Sequence, residues 1–222
     1  VAHHVDFLAY FGGGDAAAKA LDRGLQRFPA SPLLHERLRA RILREQGVEA
    51  LTAHYDGALG KEPTSPTLRW FAGYASLVAA EHHRRRGEAE QALAMYARGL
   101  EQFDRSKELA PDHAASCDHF VAMALGGRAR VHFESDALAP AVADLLAAFQ
   151  RCPTATPVLD GLNLSAADTA RMLVAKTRAN GQTELLQQLE AAMAALDPEL
   201  LRLPDYERMG PGVQRPRPRR GR

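Results

Sequence analysis

The stretch Glu90–Phe103, EQALAMYARGLEQF, sets Ala92, Tyr96, Gly99 and Leu100 on one face of a helix. Two small residues on that face let a neighbouring helix approach closely, and the large residue between them fills the groove that remains. The same offsets recur ahead of Pro29, in Ala17, Leu21, Gly24 and Leu25, and ahead of Pro153, in Ala141, Leu145, Ala148 and Phe149. Ahead of Pro63 the spacing is followed by Ala50, His54, Gly57 and Ala58, with one additional residue before the proline. A fifth and weakest copy, Leu186, Glu190, Met193 and Ala194, precedes Pro198. A proline after such a run ends the helix and fixes the direction in which the chain leaves it.

Outward from these runs, helical signals alternate with breakers along the whole chain. Ser31-Pro32 and Ser65-Pro66 each pair a capping residue with a proline at the first helical position. Gly12-Gly13-Gly14, Gly47, Gly87 and Asn180-Gly181 mark stops. Ten helical stretches result: 1–11, 16–28, 32–45, 48–59, 66–86, 88–109, 111–134, 136–152, 165–179 and 183–196. Most of the connections are short enough to force antiparallel neighbours. No segment shows the sustained alternation of a half-buried strand, and the apolar content is mainly Ala and Leu, which favour helices.

Bulk composition narrows function without naming it. Hydrophobic residues at 46% and charged residues at 25% are the balance of a folded soluble protein. A formal net charge of +1 implies no global attraction to nucleic acid or anionic lipid, so any electrostatic role must be local. No stretch reaches the roughly 18 apolar residues of a membrane span. The first residues, with polar His3, His4 and Asp6, do not read as a signal peptide. The compartment stays open, with the cytoplasm favoured.

The five-copy pattern resembles the tetratricopeptide repeat (TPR), whose second helix carries a small residue, an aromatic four later, another small residue and a terminal proline. The resemblance covers about residues 1–198, and its best copy is Trp70–Phe103, where Gly87, Ala92, Leu93, Tyr96 and Gly99 fit. Trp70 lies about six residues before the expected aromatic position. Equivalent Ala residues are spaced 33 apart from Ala17 to Ala50, 42 from Ala50 to Ala92 and 49 from Ala92 to Ala141. Against a family period of about 34, the middle pairs must carry longer helices or loops. The resemblance implies an all-α, right-handed superhelical solenoid of about five antiparallel helix pairs, spanning residues 1–203, with first helices lining a concave face. The first helix of the first pair is short, which suggests further sequence upstream.

Candidate chemistry is sparse. His113, Cys117, Asp118 and His119 lie close together, and His113 with Cys117 share a helical face at metal-ligating spacing, but the two further ligands of a zinc site have no second cluster to come from. A buried Cys on a helix is the simpler reading, and no metal or cofactor is expected. Antiparallel packing brings Cys117 and Cys152 toward one end, so a disulfide is conceivable in an oxidising compartment. The run His82-His83-Arg84-Arg85-Arg86 reads as a solvated helix end, or else as an anion-contacting edge. Gly126-Gly127 reads as close packing or a kink. No nucleophile elbow, phosphate-binding loop or His-Glu-x-x-His motif is present, so no enzyme is expected.

Binding is the remaining expectation. The first helices hold thirteen bases, from Arg37, Arg39, Arg41 and Arg44 through Arg69, Arg84, Arg85 and Arg86 to Arg128, Arg130, Arg171, Lys176 and Arg178, against seven acids. Aligned from the second helices, the residues expected to face the groove are Tyr74, Leu77, Glu81, Arg84, Met123, Arg130, Arg171 and Arg178. The expected ligand is an acidic or mixed extended segment of another protein, anchored by aromatic and Arg side chains. The family subtype that clamps a terminal carboxylate uses a mid-helix Asn, and neither Asn163 nor Asn180 is placed so. Residues 204–222 differ in kind: Arg215, Arg217, Arg219, Arg220 and Arg222, interleaved with Pro, form a tail able to touch phosphates, acidic proteins or anionic lipids. The alternatives to an interaction scaffold are a nucleic-acid-associated module and a regulatory region of a larger enzyme.

Overall fold

The computed structural model describes residues 1–159 and 164–202. The described residues are all-helical: α1 (Ala2–Phe7), α2 (Gly14–Arg27), α3 (Pro32–Glu45), α4 (Val48–Lys61), α5 (Pro66–Arg85), α6 (Ala89–Leu109), α7 (Ala114–Glu134), α8 (Leu138–Arg151), α9 (Ala166–Ala179) and α10 (Thr183–Ala194). A π-helical turn, Leu8–Gly12, extends α1, and short 3-10 turns at Pro111–His113, Pro153–Ala155 and Pro198–Leu201 follow α6, α8 and α10. The elements match the ten stretches expected from the sequence. The long spacings of the middle pairs come from α5, α6 and α7, of 20, 21 and 21 residues, where α2, α3, α4, α8 and α9 have 14.

Each helix packs on its neighbours in sequence, and first helices also meet across pairs, α1 with α3, α5 with α7 and α7 with α9. Two kinds of turn alternate. Within a pair the chain reverses through one residue at positive φ: Gly13, Gly47, Gly87, Asp136 and Gly181. Between pairs it reverses through prolines, at Pro29/Pro32, Pro63/Pro66, Pro111 and Pro153/Pro157. Asp136 is the exception among the glycines, holding φ 61° at the site where the repeat requires the left-handed region. Of the two serine caps, Ser65 accepts from the Leu68 amide, whereas the Ser31 side chain makes no cap bond. Ser165 and Asp168 form a reciprocal capping box at the start of α9.

The core is three successive buried clusters, one over α1–α5, one over α5–α8 and one over α7–α10, with Trp70 packed against both of the first two. Close approach is carried by glycines. A Cβ on Gly99 would lie 2.6 Å from Leu77, and one on Gly127 would lie 2.5–2.7 Å from the Tyr96 ring and hydroxyl. The helix α7 runs uninterrupted through Gly126-Gly127, so that pair serves packing and introduces no break.

Two of the five copies shift register. In α4 the buried residues are Val48, Leu51, Tyr55 and Leu59, while His54 and Gly57 are exposed. The copy is therefore Leu51, Tyr55, Ala58 and Leu59, which removes the additional residue before Pro63 and makes the interval from Ala17 to Leu51 equal to 34. In α10 the packed residues are Leu185, Leu189, Ala192 and Met193, and Glu190 is exposed. Burial of a large side chain at the second position decided both, and a small residue at the first did not.

Candidate functional site

Between α3, α5 and α7 lies a cavity of about 460 Å³. Its apolar walls are Leu43, Leu77, Val78, Met123 and Leu159, its aromatic walls Tyr74 and Phe120, and its polar lining Glu81, His82 and Arg85. Of the groove residues expected from the sequence, Tyr74, Leu77, Glu81 and Met123 converge here. The heptad-like spacing along α5 and the cross-pair contact of α5 with α7 bring them together.

The aromatic wall is a layered assembly. Tyr74 stacks on Trp70, one turn earlier in α5, at 5.7 Å and 18°. Phe120 of α7 meets both edge-on at 5.2 Å and lies parallel to Phe103 of α6 at 5.6 Å. The Trp70 indole N–H donates to Ser116 Oγ at 2.9 Å, which orients the stack. The Arg39 guanidinium sits over the Tyr74 ring, 4.2 Å from its centroid, with only 8% of the residue exposed. Its cationic head is set against a ring face and a tyrosine oxygen, that of Tyr55, in place of a carboxylate.

Behind Arg39 is a buried polar chain. The Tyr55 hydroxyl donates to His35 Nδ1 at 2.9 Å, and His35 Nε2–H donates to the Pro29 carbonyl at 2.8 Å. The imidazole stacks on Phe71 at 3.7 Å. Burial pushes the His35 pKa down to about 4; the Pro29 bond opposes this and the Arg39 charge adds to it. Burial likewise raises the Tyr55 pKa against the pull of Arg39. Sequence reading missed this chain, since α3 carried no motif; His35 and Tyr55 lie twenty residues apart and meet only where α3 packs on α4 within one pair.

The remaining expected residues lie elsewhere. The Arg84 side chain is 2% exposed and lies between α5 and α7, 4.0 Å from Glu134, where it cannot reach an open groove. Arg130 donates to Glu134 at 2.9 Å and touches the Met172 sulfur. Arg171 is 3.6 Å from Asp168, and Arg178 donates to Glu190 at 2.7 Å. The run His82–Arg86 divides: His82 and Arg85 line the cavity, His83 pairs with Glu88 at 2.6 Å, Arg86 pairs with Glu88 at 2.8 Å, and Arg84 is buried. The tail residues Arg215, Arg217, Arg219, Arg220 and Arg222 lie outside the described residues, as does Asn163.

The basic excess of the first helices is largely consumed inside the fold. Arg37 pairs with Asp6, Arg41 with Asp22, Arg128 with Asp144 and Lys176 with Asp136. These acids sit on α1, on second helices and in turns. His113 contacts Ser106, Asp118 is held by Lys107 and Arg151, and Cys117 is fully buried. Among the described residues, no group of three or more His, Cys, Asp and Glu side chains is placed to hold a metal ion. Both cysteines are free thiols. No described helix is long and apolar enough to cross a membrane. No protein-family profile matches the chain, and no curated protein is similar to it.

Proposed function

We propose that the chain is a protein-interaction scaffold, a divergent TPR-like right-handed array of five helix pairs, that binds an extended acidic or mixed segment of a partner protein. The observation that carries this reading is the cavity itself. It joins an apolar floor and two rings to a polar edge of Glu81, His82 and Arg85, on the side where first helices meet across pairs. Such a lining suits an apolar anchor side chain on a strand-like or irregular segment, with neighbouring charges selecting register. Alternating turn types and helix contacts that run within pairs and between adjacent pairs support the array. In this reading the protein catalyses nothing and acts as a complex subunit.

The test is affinity capture from native lysate in the presence of nuclease, comparing the wild type with Met123→Arg. The expected result is a stoichiometric protein partner that survives nuclease and is lost with the arginine in the cavity wall. Retention of the same partner by Met123→Arg overturns the site. Loss of all captured material on nuclease treatment favours the second reading, a nucleic acid held by the five arginines of residues 215–222, whose binding falls steeply with salt.

A further inference from the structure

At the α1 end, the chain exposes three aromatic rings side by side. Phe7, Tyr10 and Phe11 are 57%, 83% and 71% exposed. They are already in mutual contact, with Phe7 and Phe11 centroids 4.9 Å apart and Tyr10 and Phe11 4.7 Å apart. Phe7 and Phe11 are spaced i,i+4 across the junction of α1 with the π-helical turn Leu8–Gly12, and Tyr10 lies beside Phe11. Ala2 and Val5 face inward, Leu8 packs against the first core cluster, and the three rings are left outside. The turn ends on Gly13 and Gly14, where an added Cβ would meet nothing within 4 Å, so the border of the patch is low and open.

We propose that the protein self-associates through this face, two copies meeting ring to ring about a two-fold axis. Area is the first argument. Taking ~200 Å² for a fully exposed aromatic side chain, the three rings present about 420 Å² per copy. Two copies then bury about 840 Å² of aromatic surface. Interfaces are roughly 60% apolar, so a rim of ordinary proportion brings the total to about 1,400 Å², within the ~1,200–2,000 Å² of stable pairs. Charge is the second argument. From Phe7 to Gly14 there is no carboxylate, ammonium or guanidinium. The rings themselves therefore bring no like charges together across the axis, and the charged side chains nearest them, Asp6, Arg37, Arg41 and Arg44, border Ala9 and Gly14. A lipid surface is the poorer occupant, because interfacial anchors carry free Lys or Arg beside their aromatics, whereas the arginines bordering Ala9 and Gly14, namely Arg37, Arg41 and Arg44, are paired with Asp6, Asp22 and Glu45. An isologous contact also places each Phe11 beside its symmetry mate or the mate's Tyr10, which closes the assembly at two copies.

The experiment is sedimentation equilibrium of the full chain over a wide concentration range, with Phe11→Glu, Tyr10→Glu and Tyr10→Ser alongside. The wild type should show a reversible monomer–dimer equilibrium. Either Glu variant should weaken it by about tenfold or more, because like charges then face each other at the axis. Helical circular dichroism should not change, since both positions are exposed in the single chain. If a Glu variant loses helix, Tyr10→Ser supplies the reading, because it removes one ring from an exposed site and still must weaken the dimer. A wild type that stays monomeric at all concentrations overturns the proposal, as does a dimer indifferent to all three substitutions. Flotation of a monomeric wild type with neutral phosphatidylcholine vesicles overturns it too, and assigns the face to lipid.

Discussion

Replacing Gly127 by alanine tests the packing that joins α6 to α7. In isolation the change favours the helix by about 1 kcal/mol, because alanine loses less backbone freedom than glycine. Here the new methyl would lie 2.5, 2.6 and 2.7 Å from the Tyr96 hydroxyl, Cζ and Cε1, where relaxed carbon contacts need roughly 3.5 Å or more. Tyr96 is 1% exposed, so its ring cannot swing out into solvent. Either its ring leaves its rotamer or the two helices separate, at a cost of about 3 kcal/mol for an overpacked core. The net expectation is a loss of about 2 kcal/mol. Gly126 is the internal control, since its methyl would meet only Ala166, at 3.2 Å, and a shift of a few tenths of an ångström relieves it. Gly126→Ala should therefore fall within about 0.5 kcal/mol of the wild type or above it. The assay is urea unfolding followed by the fluorescence of Trp70, the chain's single tryptophan, which lies in the adjacent core. Gly127→Ala as stable as the wild type, or a loss shared equally by Gly126→Ala, would refute the seating of Tyr96 on α7.

Two further outcomes follow from buried polar groups. His35 is held near a pKa of about 4 in the fold against about 6.5 when unfolded. The unfolded chain binds more protons between those values, so the stabilisation is complete above about pH 6.5 and is lost as pH falls toward 4. Its ceiling is about 3 kcal/mol. His54 and His132, also lowered by burial, act in the same direction. The urea midpoint should fall between about pH 7 and pH 5, and His35→Asn should flatten most of that fall; an unchanged profile in the variant removes His35 as the cause. Asp144, with its side chain 10% exposed, takes two hydrogen bonds from Arg128, whereas Asp22 is 55% exposed beside Arg41. Asp144→Ala should cost about 3 kcal/mol in the same assay and Asp22→Ala less than about 1 kcal/mol. Equal losses would show that burial does not separate the two pairs.

Much of the helix layout was legible because its signals are local. Ser65-Pro66, Gly87 and Asn180-Gly181 act through dihedral preferences and caps that depend on the next few residues only. The repeat was legible wherever a small residue and a large one kept their offsets, with the proline four residues on in α2 and α8 and without it in α6. It slipped by one residue in α4 and α10, where Leu51 and Leu185 hold the first position and a nearby small or charged residue imitates the pattern. Four of the ten residues lining the candidate groove, Tyr74, Leu77, Glu81 and Met123, were found by offset alone. Leu43, Phe120 and Leu159 were not, because a wall's membership depends on how three pairs sit against one another.

The sequence by itself determined that the described residues are helical, nearly where the helices start and stop, and, in three of the five copies, which face packs. Tertiary structure decided what became of the charges and rings. It paired Arg37, Arg41, Arg128 and Lys176 with acids from other helices and turns, buried Arg84 between α5 and α7, and stacked Arg39 on Tyr74. It also turned Phe7, Tyr10 and Phe11 outward. The physical reason is range. Backbone preference acts over a turn or two of chain, while an ion pair or a ring stack needs only closeness in space, and stacked pairs bring together residues that lie tens of positions apart.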